Sequence, residues 1–256
     1  MHQTQRIVGA LLTSAPLLQA APVVIDWDLE TELSPVDNSN YSHFDVTLSN
    51  PGQSGGYLSI YDSTGSGGED PDLEQPWVKG NAKNEVVGNV LIIQNPSTPD
   101  DPNDSPNGGT INFDFADALA QNALITSFGF YWADMEENPG ANSVTYTDNL
   151  GNSKEFLFTD LINGVYPGAT GIEAGNNSLN VVPDDGFGEL ADLATFGLTG
   201  TSIAEVEFHL SGSGGIPRIQ YEIASAVPDA RIAVWPGLLA LAGLGYRDRR
   251  DGLRTS

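Results

Sequence analysis

The sequence predicts an all-β protein, an antiparallel two-sheet sandwich of jelly-roll-like type, and three observations carry that expectation. Short runs rich in β-branched and aromatic residues are separated by connections rich in Gly, Pro, Asn and Asp. Several of those runs alternate apolar and polar residues strictly, which is the signature of a strand with one face buried. No long stretch holds a helical period, and no dinucleotide- or phosphate-binding glycine motif interrupts the pattern.

The expected strands are residues 23–29, 44–48, 57–61, 89–94, 110–115, 124–132, 143–147, 155–158, 203–210 and 216–223. In 110–115, Ile111, Phe113 and Phe115 face one way and Asn112 and Asp114 the other. Val206, Phe208 and Leu210 alternate in the same way against Glu205, Glu207 and His209. Asp148-Asn149-Leu150-Gly151-Asn152 has the chemistry of a hairpin turn, and Ser211 to Gly215 is expected to join the last two strands likewise. Helix is expected only at 117–121 and 188–196. Long connections remain at 62–88, 95–109 and 159–202, and loops of that size are either functional or loosely ordered.

Composition narrows the function classes. The chain has 256 residues, ample for a buried core, and 39% hydrophobic residues including 10 Phe and 8 Tyr argue against wholesale disorder. A formal charge of −24 and a pI near 4.1 exclude a nucleic-acid partner, because phosphate binding needs clustered Lys and Arg. The absence of cysteine excludes disulfides, thiol catalysis and cysteine-ligated metal sites. Between residues 22 and 227 the balance is steeper still: 31 acids face only Lys79, Lys83, Lys154 and Arg218. Such a surface favours divalent cations or high ionic strength.

Both ends read as addresses, dividing the chain into residues 1–21, 22–226 and 227–256. Arg6, the apolar run from Ile7 to Leu18 and the small residues Ala20 and Ala21 have the layout of a secretory signal peptide. At the other end, Ile232 to Tyr246 is apolar and is followed at once by Arg247, Arg249, Arg250 and Arg254. This reads as a short C-terminal transmembrane helix, with the arginines holding its tail on the cytoplasmic side.

Val227-Pro228-Asp229-Ala230, the Gly- and Leu-rich span and the arginines Arg247, Arg249 and Arg250 together resemble the PEP-CTERM sorting signal of Gram-negative exosortase systems. Pro228-Asp229-Ala230 stands where that signal has Pro-Glu-Pro. The resemblance implies export, exosortase-like sorting machinery as a partner, and an envelope or extracellular location. A second resemblance runs through the middle. Tyr61-Asp62-Ser63, Gly67-Gly68-Glu69-Asp70-Pro71-Asp72-Leu73, Gly88-Asn89, Asp100-Asp101-Pro102-Asn103-Asp104 and Gly108-Gly109-Thr110-Ile111 occur in that order. They are similar to a recurring segment of secreted bacterial proteins, as is Leu210 to Ile216; that group implies fold and export and is silent on activity.

The acidic loops are the leading candidate site. Asp62, Glu69, Asp70, Asp72, Asp100, Asp101 and Asp104 lie in two connections that can reach one end of the sandwich, and such loops supply the six to eight oxygens that Ca²⁺ takes. No EF-hand spacing is present, so the two readings open here are an irregular Ca²⁺ site and a solvated acidic surface. Asp134, Glu136 and Glu137, with Asp184 and Asp185, are the acids that a glycoside-cleaving enzyme would draw on, without a spacing that fixes their separation. The three histidines have no metal-ligand spacing. Trp27, Trp77, Trp132, Tyr41, Tyr57, Tyr61 and Tyr166 are candidates for stacking on sugar rings, Trp77 first because it sits in a long loop. The expected function is that of an exported, non-catalytic envelope or matrix protein, Ca²⁺-stabilised and in contact with extracellular polysaccharide. The alternatives are a carbohydrate-active enzyme and a purely structural surface protein.

Overall fold

A computed structural model describes residues 22–28, 30–33, 36, 42–43, 46–49, 57–65, 70–98, 100–134, 142–166, 170–182 and 188–225. Residues 1–21 and 226–256, on which the signal peptide, Pro228, Asp229, the apolar span and Arg247, Arg249 and Arg250 fall, lie outside the described residues. Among those described, no helix is long and apolar enough to cross a membrane.

Among the described residues, thirteen strands form two antiparallel sheets. Sheet A contains β1 (Pro22–Asp26), β4 (Leu58–Asp62), β5 (Asn89–Ile93), β7 (Ala123–Ala133), β10 (Leu179–Val182), β12 (Gly215–Ile216) and β13 (Arg218–Ser225). Sheet B runs in the order β2 (Ser42–His43), β3 (Val46–Ser49), β6 (Gly109–Asp114), β11 (Ile203–Leu210), β8 (Ser143–Asp148) and β9 (Ser153–Leu157). Among the described residues, helix is confined to α1 (Ala116–Ala120), α2 (Phe158–Ile162) and α3 (Leu190–Leu193), with 3₁₀ turns at Pro71–Leu73 and Ala194–Phe196. The expectation of a mainly β protein with two antiparallel sheets holds.

Alternation places the core. Ile111, Phe113, Val206, Phe208, Val144, Tyr146 and Phe156 of sheet B meet Phe128, Phe130, Trp132, Ile219 and Tyr221 of sheet A, all at most 1% exposed. Phe208 lies edge-on to Phe130 with ring centroids 4.6 Å apart, a geometry that sets the positive edge of one ring against the negative face of the other. On the solvent side of sheet B, the registers align Thr110, Asn112 and Asp114 with His209, Glu207 and Glu205, and Ser143, Thr145 and Thr147 beyond them. That face is polar, and of these side chains only Ser143 is buried.

Sheet A departs from simple alternation. In β5, Val90, Leu91, Ile92 and Ile93 are all buried, because the strand is covered on both sides. Leu91 and Ile93 enter the main core, while Val90 and Ile92 join a second cluster with Tyr61, Tyr131, Ala133 and Leu179. The cover comes from residues 70–88, which contribute Leu73, Trp77, Ala82 and Val87. This connection is therefore a packed outer layer, held by the register of Gly80 and Ala82 against Leu179 and by Ser63 against Val87 and Gly88.

Ser211 to Gly215 is not a hairpin. β11 belongs to sheet B and β12 to sheet A, so this segment carries the chain from one sheet to the other. β12 and β13 then run on along one side of β7, with Gly215 opposite Ala133 and Ile219 opposite Phe130. Their other side is shared: β5 pairs with 215–216 and β1 with 218–222. β1 thus ends where β5 begins, and Asn89 closes the seam by donating its side-chain amide to the carbonyls of Trp27 and Glu30.

Candidate functional site

The seven acids of the two loops do not converge on one point. Asp62, at the end of β4, turns back to accept the backbone N–H and hydroxyl of Thr64 at 2.8 and 2.6 Å. It lines a groove at the β1–β5 seam with Asp28, Glu30, Glu32 and Asn89. Asp28 lies so close over the backbone there that a Cβ on Gly88 would stand 2.1 Å from its Oδ1. Asp72 accepts the side-chain amide of Asn176 at 2.8 Å, and Asp100 and Asp101 are exposed. Glu69 lies outside the described residues. No three His, Cys, Asp or Glu side chains among the described residues are grouped to hold a metal by themselves.

Two of the seven do meet. Asp70 and Asp104, one from each loop, bring their carboxyl groups within hydrogen-bonding reach of each other on the outer face of sheet A. Asp70 Oδ1 caps the 3₁₀ turn by accepting the N–H of Asp72 at 3.1 Å, and its carbonyl accepts the hydroxyl of Tyr61 at 2.7 Å. Asp104 is 3% exposed, and its Oδ2 accepts the N–H of Gly214 in the sheet-to-sheet crossover. Gly214 has φ +130°, and a Cβ there would press on Trp132 and the carbonyls of Ala133 and Asp134, so the crossover reaches Asp104 only as glycine.

The third acid in range is Asp134, which follows β7 at φ +54°, a left-handed position that Asp tolerates. It is 4% exposed and accepts the N–H of Asn177 at 3.2 Å. Electrostatics follow from this crowding. Burial first, then the charge of Asp70, push Asp104 well above the usual carboxylate range; the Gly214 N–H pulls the other way, and the charge of Asp134 adds a smaller upward push. Burial also raises Asp70, while the hydrogen bond from Asp104 lowers it, so the shared proton sits on Asp104. The Tyr61 hydroxyl is pushed far up by burial and by Glu74, Asp70 and Glu32.

Five of the seven aromatic candidates are packing residues, and Tyr57 is half-buried. Trp77 is 5% exposed inside the second cluster, Trp27 and Trp132 are fully buried, and Tyr61 and Tyr166 are 0% and 8% exposed. Trp27 is further fixed by its indole N–H donating to the Ile216 carbonyl at 2.6 Å. Trp77 therefore anchors the outer layer and offers no platform for a sugar ring. Tyr41 lies outside the described residues, as do Glu136, Glu137, Asp184 and Asp185. The role of Asp134 beside the Asp70–Asp104 pair had no signal in local sequence, because a left-handed residue after β7 is brought there only by the crossover. No protein-family model matches the chain, and no curated protein matches it.

Proposed function

We propose that this chain is an exported, non-catalytic protein of the cell envelope or extracellular matrix, built on a jelly-roll-like sandwich over residues 22–226. In this reading residues 1–21 direct export, and residues 227–256 are handled by exosortase-like machinery, with 232–246 entering the membrane. The supporting observation is the pairing of β1 with β13. Pro22 lies directly opposite Glu222, so the chain enters and leaves the sandwich at one corner. A domain delivered through one end and retained through the other then stands with that corner toward the membrane and sheet B facing outward along its length.

The buried aromatics favour the structural form of this reading over one in which exposed rings grip polysaccharide. Glycan contact, where it occurs, falls to the Thr-, Asn- and Glu-bearing face of sheet B. The test is truncation after Val227, followed by fractionation of cells and medium. Release of the shortened protein into the medium is expected; an unchanged envelope location would overturn the sorting role.

A further inference from the structure

We propose that Asp70 and Asp104 are the two carboxylate ligands of a single Ca²⁺ site on the outer face of sheet A, completed by neutral oxygens of the same face. The carboxyl pair alone would be only a cluster of acids. What points to a cation is the side chain next to it. Gln94 is fully buried, both N–H groups of its amide are used on the carbonyls of Thr98 and Asp101 at 2.8 Å, and its Oε1 has no partner. Gln94 and Asp104 face each other in an antiparallel bridge, so their side chains rise from the same face of the sheet, with Cβ atoms about 5 Å apart.

The same face carries a second buried oxygen without a partner, Ser59 Oγ, one strand away on β4. A third, Asn177 Oδ1, belongs to the residue whose backbone N–H holds Asp134. An amide oxygen left bare in a dry site is destabilising, and two acids in contact repel each other once both are ionised. The charged groups acting most strongly on Asp104 are Asp70 and Asp134, both acids. A cation answers both deficits at once. Two carboxylates with amide and hydroxyl oxygens form an irregular all-oxygen set, which suits Ca²⁺ and not the strict octahedron of Mg²⁺. Occupied, the site ties together three distant segments: the outer layer at Asp70, the 95–104 loop at Asp104 and, through Gly214, the crossover between the sheets.

The inference is independent of the export reading, since uptake by the purified chain and location in the cell are separate measurements. The full chain, in mild detergent and stripped with chelator, is titrated with CaCl₂ by calorimetry alongside Asp70→Asn, Asp104→Asn and Asp62→Asn. One Ca²⁺ per wild-type chain is expected, with affinity reduced at least about tenfold in Asp70→Asn and Asp104→Asn and unchanged in Asp62→Asn. No uptake by the wild type overturns the site, as does an Asp104→Asn variant that binds like the wild type or an Asp62→Asn variant that loses as much. Should either variant fail to fold, Tb³⁺ luminescence of the wild type decides. The Tyr61 ring, hydrogen-bonded to Asp70, should sensitise bound Tb³⁺ under ultraviolet excitation. Emission displaced by Ca²⁺ but not by Mg²⁺ supports the site, and absent or Mg²⁺-displaced emission overturns it.

Discussion

Asp104 shares a proton with Asp70 and its Oδ2 accepts the Gly214 N–H, so one buried side chain joins two segments distant in sequence. The pair fixes the sign of a pH effect in the absence of metal. An unfolded aspartate titrates near about 3.9, whereas burial and the charge of Asp70 keep Asp104 protonated well above that in the native state. Its contribution is therefore complete below about pH 4 and is lost as pH rises through the native value. In chelator, Asp104→Asn should match the wild type near pH 4 and exceed it in thermal midpoint increasingly above that. Parallel profiles for the two proteins would refute the assignment.

Asp148 behaves in the opposite sense. Burial works to raise its pKa, but donors from Asn152, Gly200 and Leu150 outweigh it and hold the carboxylate below its usual range. Its two oxygens accept four hydrogen bonds: the N–H groups of Leu150 and Asn152 at 2.9 Å, the Asn152 amide at 2.8 Å and the Gly200 N–H at 2.7 Å. The stability it supplies is present above the unfolded aspartate pKa and is lost as pH falls through the native value. Asp148→Ala should cost about 2–3 kcal/mol at neutral pH, read by denaturant unfolding, and the deficit should shrink in acid.

Trp77→Ala should open the outer layer and leave the main core folded. The ring belongs to the second cluster, so removing it costs about 3 kcal/mol locally. Limited proteolysis is expected to cut within 63–88 first, with the near-ultraviolet signal of Trp27 and Trp132 retained. Loss of that signal in step with the cleavage would show that the two clusters form a single unit.

Val24 and Gln220 are directly opposed on β1 and β13, and Val24 is half exposed. The chain has no cysteine, so the double variant Val24→Cys, Gln220→Cys starts without competing thiols. Oxidation should close the pair and raise the thermal midpoint by several degrees, since the bridge removes a very long loop from the unfolded state. Failure to form the disulfide under mild oxidation would contradict the register.

Strands with one wet face were legible because their alternation is written in consecutive residues: 203–210 was expected to the residue, and 110–115 differs by one at each end. β10 was not, since Leu179-Asn180-Val181-Val182 lies inside a long connection and gains its meaning only from pairing with β7. α2 was missed for a related reason: Phe158 reads as the end of a strand, yet its burial is achieved by turning into a helix. At the site, both loops were flagged by their acids, but composition could not separate half-buried Asp70 and buried Asp104 from exposed Asp100 and Asp101. That distinction depends on Gln94, Gly214 and Asp134, whose residue types carry no signal of their own.

The pairing of β1 with β13 also governs when the protein can finish folding. A chain that emerges amino end first, from a ribosome or through a translocation pore, presents β1 at the outset with nothing to pair with. Its partner is the last strand described, and sheet B likewise waits for β11 to fill the place between β6 and β8. Neither sheet can close until nearly every residue up to Ser225 has come through, and contacts of such long sequence separation form slowly. The architecture delays its own completion until its last strand arrives.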